Sequence, residues 1–173
     1  FARVGLTKNM MVVETSDNNI FASGLKVMTR GGKTVAELGI LSHKLQRAAD
    51  IANPVYYADI HWNTLMKAVR KNKLEYQEIS KYPAVSRDLA LLIDNSVKFA
   101  QIEEIAFQTE KKLLKRVELF DVYQGKNLPE GKKSYAVNFI IQDATRTLND
   151  KAIDAIMTKL INNIKNKLGA ELR

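Results

Sequence analysis

The sequence contains no cysteine, which excludes a disulfide framework, thiolate zinc sites, iron–sulfur clusters and a cysteine nucleophile. Histidine is almost as scarce, and His43 and His61 have no partner at metal-ligand spacing, so both read as structural. No apolar run reaches the roughly 18 residues of a membrane-spanning helix, and no signal peptide opens the chain. These absences fit a reducing, cytoplasmic setting. The motifs GxxxxGK[ST], HExxH and GxSxG and the EF-hand loop are also missing. Asp88, Asp121 and Asp143 fall at strand ends, but no spacing brings two of them together as an acid–base pair. What remains is a globular composition: 46% hydrophobic and 27% charged residues, with only 3 prolines and 8 glycines in 173 residues. That length suits one large domain or two small ones. The first residue is Phe1 rather than methionine, so a fragment of a longer protein is expected.

Charge is the first positive signal. Lys and Arg number 27 against 19 Asp and Glu, a net +8. The excess is spread evenly: 11 basic against 7 acidic residues over 1–79, and 16 against 12 over 80–173. Such a field favours a polyanionic partner, nucleic acid before a membrane surface.

The pattern of the chain changes near residue 80. Residues 1–79 read as strands followed by short helices, with strands over 4–14 and 21–29 around the turn cluster Ser16-Asp17-Asn18-Asn19. Gly31-Gly32, between two alternating runs, is expected to supply the positive φ values of a tight hairpin. Ser42 is placed to cap a short helix through Asp50. Residues 55–60 are strand-like, and 62–69 have helical spacing. Tyr56, Tyr57 and Trp62 read as core or interface packing. The polar stretch 71–81, ending before Pro83, reads as a linker.

From residue 80 the elements follow one another as β-α-β-β-α-β. Leu89, Leu91 and Ile93 mark a strand. Phe99, Ile102, Ile105, Ala106, Leu113 and Leu114 recur at helical spacing. Residues 117–123 and 133–141 are strands, the second with Tyr135, Val137, Phe139 and Ile141 in strict alternation. Asn149 and Asp150 open a helix whose apolar face runs from Ile153 to Leu168, and Gly169 stops it. Residues 170–173 read as a last edge strand. This order is an α+β, ferredoxin-like split-βαβ sandwich: an antiparallel sheet with two helices on one face.

Period two then divides the residues between the faces. With Leu89, Phe120, Val122, Tyr135, Val137 and Phe139 towards the helices, the other face carries Asp88, Ala90, Asp121, Tyr123, Ser134, Ala136 and Asn138. Val117 and Leu119 would then also face outward, unless a bulge near Glu118 turns them in. An open face of small and polar groups around one tyrosine, with Lys126, Lys132 and Lys133 at its rim, suits stacking and edge recognition of bases. The strand Lys133-Ser134-Tyr135-Ala136-Val137-Asn138-Phe139 invites comparison with the RNA-recognition signature. It lacks the aromatic before Val137, and its aromatics fall on the core face, so it reads as packing.

A family resemblance rests on Tyr82-Pro83-Ala84-Val85-Ser86-Arg87-Asp88-Leu89-Ala90, Leu119-Phe120-Asp121-Val122-Tyr123-Gln124-Gly125, Leu128-Pro129-Glu130-Gly131-Lys132-Lys133-Ser134, Arg146-Thr147-Leu148 and Leu168-Gly169-Ala170-Glu171-Leu172-Arg173. With these motifs in register, residues 80–173 resemble the C-terminal, ferredoxin-fold anticodon-binding domain of bacterial phenylalanyl-tRNA synthetase β subunits. Residues 1–79 resemble more loosely the end of the class II synthetase-like domain that precedes it, through Val35-Ala36-Glu37-Leu38-Gly39 and Val55-Tyr56-Tyr57-Ala58-Asp59-Ile60. That domain would be truncated at Phe1, and in the family it has lost its catalytic residues.

The resemblance implies a non-catalytic fragment of a ligase. It would bind phenylalanine tRNA and position it for an α subunit in an (αβ)2 heterotetramer, with ATP and magnesium used by that subunit and no cofactor held here. It also implies the site: Asp121, Tyr123 and Ser134 towards the anticodon, the same three that period two puts on the open face. Tyr123 would stack on an unpaired base. Asp121 would accept from a donating edge such as guanine N1–H and N2–H2. Ser134 would meet a neighbouring base. Arg87, Lys126, Lys132 and Lys133 would contact phosphates. For Arg87 the competing expectation is an ion pair with Asp88 or Asp121, and for Lys132 and Lys133 it is solvated hairpin charge. The other functional expectation is a protein-interaction or regulatory module that pairs through the open sheet face.

Overall fold

The computed structural model describes residues 1–7, 10–70, 76 and 78–173. They form two compact units, residues 1–77 and 78–173. The linker expected over 71–81 lies largely outside the described residues.

The first unit is an antiparallel four-stranded meander in the order β1-β2-β3-β4: β1 (Met11–Ser16), β2 (Phe21–Thr29), β3 (Thr34–Leu41) and β4 (Tyr56–Ile60). Helix α1 (His43–Ala48) follows β3, and α2 (Trp62–Val69) follows β4. The first strand starts later than expected, because residues 2–4 form a 3-10 turn instead. The hairpin is also wider than a two-residue turn. Arg30 to Lys33 lie between the strands, and of the two glycines only Gly32 has a positive φ, 76°. Ser42 sits at the start of α1 without capping it; its hydroxyl donates to the Asn19 carbonyl, and the helix ends before Asp50. The buried core is small, built on Leu6, Val35 and Leu65. Tyr57 meets the Phe21 ring at 6.2 Å. Tyr56 and Trp62 lie outside that core, 80% and 61% exposed, which corrects any reading of them as its core.

The second unit has the expected order: β5 (Val85–Asp94), α3 (Phe99–Thr109), β6 (Leu114–Tyr123), β7 (Lys132–Ile141), α4 (Asp150–Leu168) and β8 (Glu171–Leu172). Its strands lie in the order β6-β7-β5-β8, all antiparallel, which is the split-βαβ sandwich. Helix α3 stops earlier than the apolar spacing suggested. The Glu110 carboxylate accepts the Lys112 and Leu113 N–H groups at 3.0 Å, turning the chain so that Leu114 opens β6. The core between sheet and helices joins Leu91, Ile93, Tyr135, Val137, Phe139 and Ile141 to Ile102, Ile105, Ile156, Leu160 and Ile164. No helix among the described residues is long and apolar enough to cross a membrane.

Helix α4 shows how locally its ends are set. The Asn149 side chain accepts the Ala152 N–H at 2.9 Å, and Gly169 closes the helix with φ 63°, a left-handed conformation that costs glycine little. Asn149→Ala is therefore expected to lower the stability of the second unit by about 1 kcal/mol, while Asn149→Asp keeps it. Thermal unfolding of the two variants checks this, and equal losses in both would show that the cap contributes nothing.

Candidate nucleic-acid interface

The exposed face of the second sheet depends on one irregularity. In β6, Leu119 pairs with Val137 and Asp121 with Ala136, so Phe120 is an extra residue, a bulge. Before the bulge, Val117 and Leu119 share the helix side with Phe139 and Val137. After it, Asp121 and Tyr123 share the opposite side with Ala136 and Ser134. Strict alternation cannot satisfy both sets, and the bulge does. It lies at Phe120 rather than near Glu118, and it leaves Phe120 exposed instead of facing the helices. Val122 pairs with Tyr135 on the helix side but is also exposed there.

Asp121, Tyr123 and Ser134 thus come together, as period two placed them. Tyr123 stands directly opposite Ser134, and Asp121 lies two pairs along, opposite Ala136. The carboxylate of Asp121 is exposed and oriented by the Val122 N–H, which donates to Oδ1 at 2.8 Å. Tyr123 is partly exposed, and its hydroxyl end lies over Gly125, where a Cβ would come within 2.5 Å of Oη. A glycine at 125 is what leaves the ring that position. Ser134 is almost fully buried. On β5, Asp88, Ala90 and Leu92 continue the same face, and Asn138 of β7 donates to both Asp88 and Ser86.

The cations are less gathered than expected. Arg87 pairs across from Phe139 on the helix side, 3.7 Å from Asp150, so it meets neither Asp88 nor Asp121 and does not reach the open face. Lys133 is buried: its ammonium donates to the Asn95 carbonyl at 2.8 Å and lies 4.7 Å from the Tyr135 ring centroid. Both are corrections with one cause, since odd positions of β5 and β7 point at the helices. Lys132 does lie on the open side, but it donates to Glu171 at 2.6 Å. That hydrogen bond, with the charge of the same ammonium, holds the Glu171 carboxyl below its ordinary pKa. Asp94 is likewise lowered, by the hydroxyl and backbone N–H of Ser96. Lys126 is exposed in the loop between β6 and β7.

One cation that the sequence reading passed over lies on this face. Arg173 follows β8, and its N–H donates to the Ala90 carbonyl at 2.9 Å. Its guanidinium carbon lies 5.2 Å from the Tyr123 ring centroid. The register explains how a residue beside β8 meets one on β6. Ala90 faces Ala136, which faces Asp121, so two alanines leave a shallow track across the sheet. The signal was present in Ala90 and Ala136, but only the pairing aligns them with Arg173.

Among the described residues there is no group of three or more His, Asp or Glu able to hold a metal ion. The arrangement offers stacking, hydrogen-bond acceptance and charge, and no catalytic constellation.

A family model described as the ferredoxin-fold anticodon binding domain matches residues 80–173. The chain is 59% identical over 99% of its length to a phenylalanine–tRNA ligase beta subunit from Bacteroides thetaiotaomicron, and 57% identical over all of it to that of Bacteroides fragilis. The corresponding subunit from Porphyromonas gingivalis is 49% identical over 99% of the chain. In each case the match covers 21% of the relative, so the chain spans about a fifth of the length of these proteins.

Proposed function

The chain belongs to the family of ferredoxin-fold anticodon-binding domains, with phenylalanine–tRNA ligase beta subunits as its relatives, and from this we infer that its open sheet face binds the anticodon loop of phenylalanine tRNA. The observation that carries the reading is the assembly of Asp121, Tyr123 and Ser134 on one face by the Phe120 bulge. Tyr123 gives an unpaired base a stacking surface, sequence-tolerant in itself. Asp121 accepts only, so it selects an edge with two donors, as guanine N1–H and N2–H2 present. Ser134 meets a neighbouring base once the face opens. Lys126 adds phosphate attraction without sequence information. Arg87 and Lys133 have no part in this, and Lys132 takes part only by leaving Glu171.

In this reading residues 1–79 are the end of a non-catalytic synthetase-like domain. The fragment positions tRNA for an α subunit that carries out aminoacylation with ATP and magnesium, within an (αβ)2 assembly in the cytoplasm. A subunit-pairing sheet face would present Val117 and Leu119 outward. Both lie on the helix side, which favours RNA.

Fluorescence anisotropy tests the reading, with a labelled phenylalanine anticodon stem-loop and a scrambled loop compared at two salt concentrations. A preference for the cognate loop that survives the higher salt is expected. Equal binding of both loops that vanishes with salt would overturn base reading by this face.

A further inference from the structure

Arg173 has a role that follows from its position. Among the described residues Arg173 makes no ion pair, and its guanidinium lies over the Tyr123 ring. A guanidinium is a planar cation that stacks on bases as well as on aromatic rings. Across the Ala90–Ala136 track it faces the ring on which a base is proposed to stack. We propose that Arg173 and Tyr123 form a two-sided clamp for one unpaired base, with Arg173 a specificity residue of the interface. The inference rests on the proposed RNA-binding reading and adds the second stacking surface.

Without RNA the clamp is closed. The 5.2 Å between guanidinium and ring centroid is short of the about 7 Å that a base needs between two stacked partners, twice the spacing of stacked bases. Opening it costs little, since an exposed cation–π contact is worth less than the stacking of a base on an aromatic side chain. Arg173 is held by its backbone bond to Ala90, so its side chain can lift while β8 stays in place. Ser134, directly opposite Tyr123, is almost fully buried beside the closed clamp.

The test is a cycle between protein and RNA. The 173-residue chain and its R173A and R173K variants are titrated with the anticodon stem-loop and with the same hairpin made abasic at its three anticodon nucleotides. R173A is expected to bind the intact loop about tenfold more weakly than the parent, one jaw of a stacked base having been removed. R173K, which keeps the charge but not the plane, is expected to stay closer to R173A than to the parent. On the abasic hairpin the three proteins are expected to converge. Binding by R173A equal to or tighter than the parent's would overturn the clamp, the latter making the guanidinium a competitor for the ring. Full recovery in R173K would reduce the contact to a point charge, and a loss of equal size on the abasic hairpin would make it a backbone contact; either overturns the clamp. A parent chain that binds both hairpins equally would instead overturn the RNA-reading face itself. Thermal unfolding of R173A is expected to match the parent.

Discussion

Phe139→Ala is expected to cost the second unit about 3–5 kcal/mol of stability, the range for a buried aromatic whose cavity cannot fully collapse. Phe139 is completely buried in the second half of β7, with Arg87 opposite it on β5 and Val117 on β6. It belongs to the same core as Ile156, Leu160 and Ile164 of α4, so its ring joins sheet and helix layers. Both strands beside it are constrained by long ladders, which limits how far they can close on the void. A domain with 5–15 kcal/mol of total stability would lose a large share of it. Urea unfolding, followed by a probe in the second unit, measures this as a lower midpoint at similar slope. A change below about 1 kcal/mol would mean that Phe139 is not the centre of this core.

The largest expected effect on binding is at Tyr123. Tyr123→Ala removes a stacking surface worth about 1–3 kcal/mol per base, or roughly 5- to 150-fold in affinity at 1.4 kcal/mol per decade. The ring is partly exposed and outside the core cluster, so folding is expected to be little affected. Tyr123→Phe keeps the ring and loses only the hydroxyl over Gly125, so it should bind nearly as the parent does. The measurement is stem-loop affinity for the three proteins at fixed salt, because the electrostatic contribution changes with ionic strength. Unchanged binding in Tyr123→Ala would remove the tyrosine, and with it the proposed stacking site, from the interface.

Much of the second unit was legible in order. The alternation of Tyr135, Val137, Phe139 and Ile141 depends only on the two-residue period of a strand, and those four side chains are the buried apolar ones of β7. The helix from Asp150 to Leu168 was bracketed by an asparagine and a glycine, whose capping roles involve partners within a few residues. The β-α-β-β-α-β succession then left the split-βαβ sheet as the arrangement that buries both helices on one side. The first unit was less legible, because its short elements bury little and its core rests on three residues.

The faces of β6 and the state of the cations belong to the tertiary structure. Whether Asp121 and Tyr123 share a face with Ser134 depended on a bulge, and a bulge is fixed by what the neighbouring strand requires of Val117 and Leu119. Lys133 and Asn95 are 38 residues apart, and Lys132 and Glu171 are 39 apart. Arg87 with Asp150, and Tyr123 with Arg173, are also joined only by the fold. The sequence by itself determined the succession of strands and helices in the second unit, since periodicity and caps are written in near neighbours. The tertiary structure alone decided which charges were spent on Asp150, Asn95 and Glu171 and that Arg173 covers the tyrosine, because those contacts exist only once distant strands are in register.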